Sequence, residues 1–237
     1  MNYTWKAYYI DGTSLCQFDD EIEYSGSADE PIAELSEISV DGAGNGTFQT
    51  LYTSSGDLEN GSFTYTVGDD GSLTVFTDSE TLRGIISQDG NVLTLALTTT
   101  DEPGIIVGIK KSTGMTNASL RGKYIISQFA DEITYSGSAD HPVAMLSEIS
   151  LDGVGNGTYQ DLYTSSGDLD TGSFTYAVAD DGSLTIFSDG DVLHGIISSD
   201  GSVFALSFTT GDEPGFMVGI RKSTVSNPAI PLLLLGD

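Results

Sequence analysis

The chain has 237 residues, and its 35 Asp and Glu against 8 Lys and Arg give it a formal net charge of -27. A field of this sign repels phosphate backbones and anionic lipid surfaces, which excludes nucleic acid and membrane surfaces as expected partners. One cysteine, Cys16, rules out an intramolecular disulfide and a cysteine-based metal cluster. No apolar run reaches the roughly 18 residues that a transmembrane helix needs, so we also expect no membrane span.

A long internal repeat organises the chain. Residues 18–113 align with residues 129–224 at a constant shift of 111 without a gap, and about two-thirds of the positions are identical. A repeat of this length is a whole domain, because solenoid repeats run to only about 20 to 50 residues. The sequence therefore predicts one domain over residues 1–113, a second over 114–225, and an extended tail over 226–237.

The first copy reads as a series of short strands. Residues 5–10 predict the first strand, which matches residues 120–125 of the second copy if a short insertion around residues 11–14 is allowed. A long irregular loop rich in Pro, Gly and Asp follows at residues 20–31. The turn DGAGNG at residues 41–46 supplies the positive φ angles of a tight hairpin. The strands predicted after the loop cover residues 33–40, 47–53, 62–67, 73–77, 81–87, 92–98 and 105–111.

Side-chain alternation indicates that these strands form a closed sheet. Phe174 and Tyr176 are large and apolar, whereas Thr175 and Ala177 between them are small or polar. Eight strands joined by short hairpins predict an antiparallel meander, and closure into a barrel removes its exposed edges. We expect an all-β protein with two tandem eight-stranded barrels. A β-sandwich with the same alternation is the alternative.

Glu37 and Glu148 occupy the same mid-strand position in the two copies. If they point inward, loss of hydration raises their pKa, as a general acid or a polar ligand anchor requires. If they point outward, they are ordinary solvated acids. Both orientations are compatible with the sequence.

Four tyrosines recur in pairs and are candidate ligand-binding residues. Tyr24 and Tyr135 lie in the long irregular loops, and Tyr52 and Tyr163 lie in predicted strands. A tyrosine at a barrel mouth can hold a ligand, or it can cover the core and keep its hydroxyl in water.

The acidic turns suggest calcium only superficially. Asp41 and Asp152 open the two DGxGNG turns, but neither turn spaces carboxylates at alternate positions or ends in a bidentate acid. We therefore expect hairpin turns without a cofactor, and calcium binding by these turns is the alternative. His141 and His194 replace Glu30 and Arg83 of the first copy, so each histidine occurs once, and no catalytic motif supports enzyme activity.

The C-terminal tail has no counterpart after the first copy and carries an apolar run. Burial of each leucine is worth about 1.5–3 kcal/mol, so this run is expected to find a partner surface. Two prolines keep the segment extended, which suits strand addition to a neighbouring chain. The candidate residues for self-association into dimers or filaments are Ile230, Leu232, Leu233, Leu234 and Leu235.

Two resemblances accompany these patterns. The L-x-G-x-Y run of Leu120, Gly122 and Tyr124, followed by hairpin-linked strands, is similar to the start of calycin-type barrels such as lipocalins and avidins. The DGxGNGT hairpin, the GSFTY strand, the DGSLT turn and the terminal VGIKKS resemble uncharacterised repeat proteins that environmental bacteria export, often as lipoproteins. The second resemblance implies an extracellular or cell-surface protein, whose export signal is absent from this chain.

The leading hypothesis is therefore a non-enzymatic structural or adhesive protein that self-associates through its tail. The alternative is a calycin-like barrel that binds one small apolar ligand in its lumen, with Glu37 or Glu148 and a paired tyrosine reaching into it. That alternative fails if core side chains fill the barrels. A third hypothesis is a barrel enzyme of the cyclase type, which requires an inward acid with a raised pKa.

Overall fold

The computed structural model describes residues 13–21, 30–78, 80–98, 103–130, 143–188, 190–209 and 214–222. Almost every described element is a β-strand, and each observed strand pairing is antiparallel. The expectation of an all-β chain built from an antiparallel meander is confirmed.

The first sheet contains eight strands in chain order, and each pairs with the next. β1 also pairs with β8, so that the order of the strands returns to its start. The strands are β1 (Thr13–Glu21), β2 (Glu30–Val40), β3 (Asn45–Thr53), β4 (Asn60–Val67), β5 (Ser72–Phe76), β6 (Thr81–Ile86), β7 (Val92–Thr98) and β8 (Pro103–Lys110).

The second sheet closes into an eight-stranded antiparallel barrel, because β9 pairs with both β10 and β16. For this sheet the β-sandwich alternative is wrong. A short 3₁₀ helix (Asn117–Ser119) precedes it. The strands are β9 (Arg121–Ala130), β10 (Val143–Asp152), β11 (Asn156–Thr164), β12 (Thr171–Val178), β13 (Ser183–Ser188), β14 (Asp191–Ile197), β15 (Val203–Phe208) and β16 (Gly215–Arg221).

The predicted strand positions differ from the structure mainly at the start of each copy. The strand predicted over residues 5–10 lies outside the described residues, and β1 instead begins at Thr13. β9 runs to Ala130, well beyond the predicted end at residue 125. Thr13 pairs with Ile38 as Tyr124 pairs with Ile149, so the gapless shift of 111 extends into the first strand and no insertion is needed there.

Inside the sheets, aromatic rings lie on glycines of the neighbouring strand. Gly46 pairs with Phe63, and Gly157 pairs with Phe174. A Cβ atom added at either glycine would lie 2.3 Å from the facing ring. Phe204 covers Gly219 in the same way. Each ring thus fills the space that its missing partner side chain leaves, which explains why the NGT and GSF segments occur together in both copies.

The two sheets pack against each other through an apolar cluster on their outer faces. The first sheet contributes Ala33, Leu35, Val107 and Ile109, and the second contributes Ile196, Ala205 and Phe216. The Ser207 hydroxyl donates a hydrogen bond to the backbone carbonyl of Glu34 across this contact.

The segment that joins the sheets is held by the second one. The backbone N–H groups of Ser112 and Met115 donate to the carbonyl oxygens of Asp181 and Asp180, and Met115 is buried in the second core. Lys111 adds an ion pair with Asp181 at 3.1 Å. The join is therefore part of the packed structure.

We expect Gly157→Ala to lower the free energy of unfolding by about 1–3 kcal/mol, because the added methyl overlaps the Phe174 ring. Urea unfolding checks this. Adding Phe174→Leu to Gly157→Ala should cost less than Phe174→Leu does in the wild type, since the overlap is relieved. Strictly additive changes in the double-mutant cycle would contradict the proposed contact.

Candidate functional site

Buried side chains occupy the interior of both sheets. In the first sheet the inward cluster includes Phe63, Leu93, Leu95 and Ile106. In the barrel of the second sheet it includes Tyr124, Phe174, Tyr176, Phe204 and Leu206, of which Phe204 and Leu206 are completely buried. The space where a calycin-type protein would hold a ligand is thus occupied by the protein's own core.

One end of the second barrel is closed by hydrogen bonds around the 3₁₀ helix. The Tyr124 hydroxyl donates to the carbonyl of Gly201 at 2.6 Å and accepts from the Arg221 guanidinium at 3.0 Å. Arg221 also donates to the carbonyl of Ser119, and its guanidinium lies over the Tyr124 ring. Burial raises the pKa of Tyr124, so the hydroxyl keeps its proton at neutral pH. In the first sheet, Thr13 and Lys110 pair at the corresponding positions.

A buried carboxylate near the other end was missed by sequence reasoning. Asp161 lies opposite Ser147 and faces inward, where its Oδ1 accepts from the Ser147 hydroxyl at 2.6 Å. Its Oδ2 accepts from the backbone N–H of Asp170. In the first sheet, the Ser36 hydroxyl donates instead to Thr50 at 3.2 Å. The change from Thr50 in the first copy to Asp161 in the second is visible in the sequence. It indicates a buried carboxylate only once the inward face of the strand is known.

Glu148 faces outward, because Ser147 and Ile149 on either side of it are buried. Its carboxylate accepts hydrogen bonds from Lys123 and from Lys222, the latter at 2.7 Å. These bonds lower the pKa of Glu148 to about 2, with Lys123 the larger cause. A general acid needs a raised pKa, and the pKa of Glu148 is lowered. The prediction that Glu148 points inward and keeps its proton is therefore wrong.

Glu37 also faces outward, between the buried Ser36 and Ile38. Its Oε2 lies 3.1 Å from Lys111 Nζ, and the same ammonium binds Asp181 of the second sheet. Glu37 is therefore part of an ion-pair network at the contact between the sheets, and the inward orientation is wrong here as well.

The paired tyrosines lie in different environments. Tyr52 stacks on His194 of the second sheet with ring centroids 3.7 Å apart, whereas Tyr163 is 72% exposed. Burial in this contact lowers the pKa of His194. The structure does not bring Tyr52 or Tyr163 into a barrel interior with a glutamate. Tyr24, Tyr135, His141 and the tail residues 230–235 lie outside the described residues, and ligand binding by the paired tyrosines stays a prediction.

The carboxylates of the acidic turns are occupied by the turns themselves. Asp41 accepts from the backbone N–H groups of Ala43 and Asn45 and from the Asn45 side chain. Asp152 accepts from the corresponding groups, and the Asn156 side chain is the main reason that its pKa falls to about 2. Within the described residues no group of three or more His, Cys, Asp or Glu side chains could hold a metal ion.

An open groove of about 650 Å³ lies on the first sheet. The exposed Phe76 ring is set among hydroxyl, amide and carboxylate groups there, and the residues that line the groove include Ser39, Asp41, Asn45, Thr47, Thr64 and Phe76. The groove is open to solvent and its lining is mixed, with the apolar Val40 and Phe63 beside the polar groups, so it differs from the enclosed lumen that a carrier of apolar molecules requires.

Comparison with known proteins adds little. No family model and no curated protein matches the chain. One similar solved structure is a protein of unknown function from the DUF3598 family of Nostoc punctiforme. It is 11% identical over 94% of this chain and 100% of that chain, with a TM-score of 0.29. At so low a score the likeness supports neither a fold nor a function.

Membrane-spanning helices are not found in the described part of the chain, where no helix has the length and apolar character required.

We expect Glu148→Gln to reduce stability at neutral pH and to matter progressively less in acid. The folded pKa of about 2 lies below the ordinary 4.5, so the ionised carboxylate stabilises the fold above about pH 4.5. That contribution is lost as the pH falls through about 2. Thermal unfolding of both proteins between pH 7 and pH 2 tests this, and a constant difference in Tm would contradict it.

We expect Asp161→Ala to lower the free energy of unfolding by about 1–3 kcal/mol, because it leaves the Ser147 hydroxyl and the Asp170 N–H without this acceptor. Asp161→Thr is the matched control, since Thr50 accepts from Ser36 in the first sheet. It should retain more of the stability in urea unfolding. Equal losses in the two variants would contradict a hydrogen-bonding role.

Proposed function

We propose that the protein is a non-enzymatic structural or adhesive protein of the extracellular space or cell surface, built from two tandem calycin-like barrels. One observation carries this proposal: packed core side chains occupy the inside of both sheets. A sheet whose interior is packed in this way is rigid, and its outer surface is the part that can bind other molecules.

The filled interior speaks against the carrier alternative. Phe63 and Leu95 in the first sheet and Phe174 and Leu206 in the second are all buried. An apolar ligand would have to displace these side chains. Tyr124, Arg221 and the 3₁₀ helix also cover one end of the second barrel, so a ligand could not enter its interior from that end.

The chemistry of the acids speaks against the enzyme alternative. Glu148 is held ionised by two lysines, and Glu37 is paired with Lys111. Asp161 is buried, but hydrogen bonds from Ser147 and Asp170 engage both of its oxygens. Acid catalysis in a barrel would require an inward acid with a raised pKa, whereas Glu37 and Glu148 face outward and the pKa of Glu148 is lowered.

The contact between the sheets suits a structural role. The apolar cluster, the Lys111 ion pairs and the hydrogen-bonded join restrict movement of one sheet against the other. The strongly acidic composition keeps such a unit soluble outside the cell, in keeping with the resemblance to exported repeat proteins.

Native mass spectrometry of protein purified without refolding, with and without chelator, tests the proposal. We expect the mass of the bare chain or of whole multiples of it, because packed side chains occupy the interior of both sheets. Extra mass in one or two equal steps would overturn the proposal in favour of a bound ligand, or of calcium if a chelator removes it.

A further inference from the structure

The contact between the two sheets uses different parts of the repeat on its two sides. The first sheet contributes mainly β1, β2 and β8, and the second contributes β14, β15 and β16. By position in the repeat, β14 and β15 correspond to β6 and β7, and not to β1 and β2, whereas β16 corresponds to β8, which lies on the other side of the same contact. The contact is therefore heterologous, meaning that one side of the repeat binds a different side of the next copy.

Two surfaces can be defined from this contact. Face A is the outer apolar surface of the first sheet, formed by Ala33, Leu35 and Ile109; Val107 also lies in this contact, but its counterpart Val218 already packs against the same cluster. Face B is the outer apolar surface of the second sheet, formed by Ile196, Ala205 and Phe216. All six residues are buried.

The shift of 111 gives every residue of these faces a counterpart in the other copy. The counterpart of face A lies on the second sheet and is called free face A: Ala144, Leu146 and Ile220. The counterpart of face B lies on the first sheet and is called free face B: Ile85, Thr94 and Ile105.

Four of the six counterparts are exposed where the originals are buried, and the other two, Leu146 and Thr94, are half-buried. Ile109 is 0% exposed, whereas Ile220 is 59% exposed. Ile196 is 0% exposed, whereas Ile85 is 57% exposed. Because each pair has the same residue type at the same position of the repeat, burial in the contact accounts for the difference. Among the described residues, each sheet thus keeps part of an apolar face exposed.

We propose that the protein self-associates head to tail, with free face A of one copy packing on free face B of the next copy. The contact repeats the one that already joins the two sheets within the chain. A heterologous contact of this kind closes into a ring or continues as a filament. The proposal extends the structural role and names the surfaces that would serve it.

The residues around the free faces are compatible with this contact. Within the chain Tyr52 stacks on His194; between chains their counterparts, Tyr163 and Arg83, would meet. Arginine is a good partner for an exposed aromatic ring, because its planar cation stacks on the ring face. Thr94 and Ile105 replace Ala205 and Phe216, which keeps this surface largely apolar.

Two differences make the contact between chains weaker than the contact within the chain. The hydrogen-bonded join provides a high effective concentration that separate chains lack. The net charge of -27 also makes the chains repel one another. Salt screens this repulsion, since the Debye length falls from about 10 Å at 0.1 M to about 3 Å at 1 M. Association should therefore increase with ionic strength.

Sedimentation velocity over a range of protein and salt concentrations tests the proposal. We expect the average mass of the wild type to rise with both. Ile85→Lys and Ile220→Lys each place a charge on one free face, at a position already exposed to solvent, and each variant alone should stay monomeric. Leu58→Lys changes an exposed leucine outside both faces and should associate like the wild type.

Mixing the two charged variants tests the head-to-tail arrangement itself. Ile85→Lys keeps free face A and Ile220→Lys keeps free face B, so an equimolar mixture should form dimers of one chain of each kind. The assembly should stop there, because the other two faces are blocked.

A wild type that stays monomeric under all these conditions would overturn the proposal. So would association that persists in both single variants; if deletion of residues 230–237 then abolished it, the tail would be the contact. Neither result bears on ligand binding. The proposed structural role would therefore still be tested separately, by the native mass measurement.

Discussion

The packing of inward aromatic rings on glycines of the neighbouring strand is the contact on which the rest of the structure depends. Phe63 on Gly46 and Phe174 on Gly157 fill the interior of their sheets without steric overlap. Because these positions face inward, the alternate positions face outward, which sets the orientation of Glu37 and Glu148. The same packing that stabilises the fold therefore fills the interior with core side chains and turns Glu37 and Glu148 to the outer surface.

Because core side chains fill the interior of both sheets, contacts with other molecules fall to the outer surface. There, the contact between the sheets turns a row of ordinary outward residues into a second core, in which Ala205 and Ser207 are completely buried. Ion pairs at its edge join Glu37, Lys111 and Asp181. The contact is asymmetric, so among the described residues it leaves Ile85 and Ile220 exposed where Ile196 and Ile109 are buried.

A few substitutions between the copies give the two sheets different hydrogen bonds at equivalent positions. Thr50 of the first copy corresponds to Asp161 of the second. The Asp161 carboxylate accepts two hydrogen bonds, whereas the Thr50 hydroxyl accepts one from Ser36. Tyr124 and Arg221 close one end of the second barrel, whereas Thr13 and Lys110 stand at the paired positions of the first sheet. Near-identical sequences thus place different side-chain contacts at the same position of the two sheets.

The sequence by itself determined the all-β class, the internal duplication and the acidic turns, because these depend on residues close together in the chain. Asp41 and Asp152, for example, bind N–H groups within four residues of themselves. Only the tertiary structure decided that Glu148 binds Lys123 and Lys222, that Asp161 faces Ser147, and that Ile109 is buried while Ile220 is exposed. These properties depend on which strands become neighbours and on which side of each sheet meets the other, and no local pattern in a duplicated sequence can distinguish two copies of the same residue.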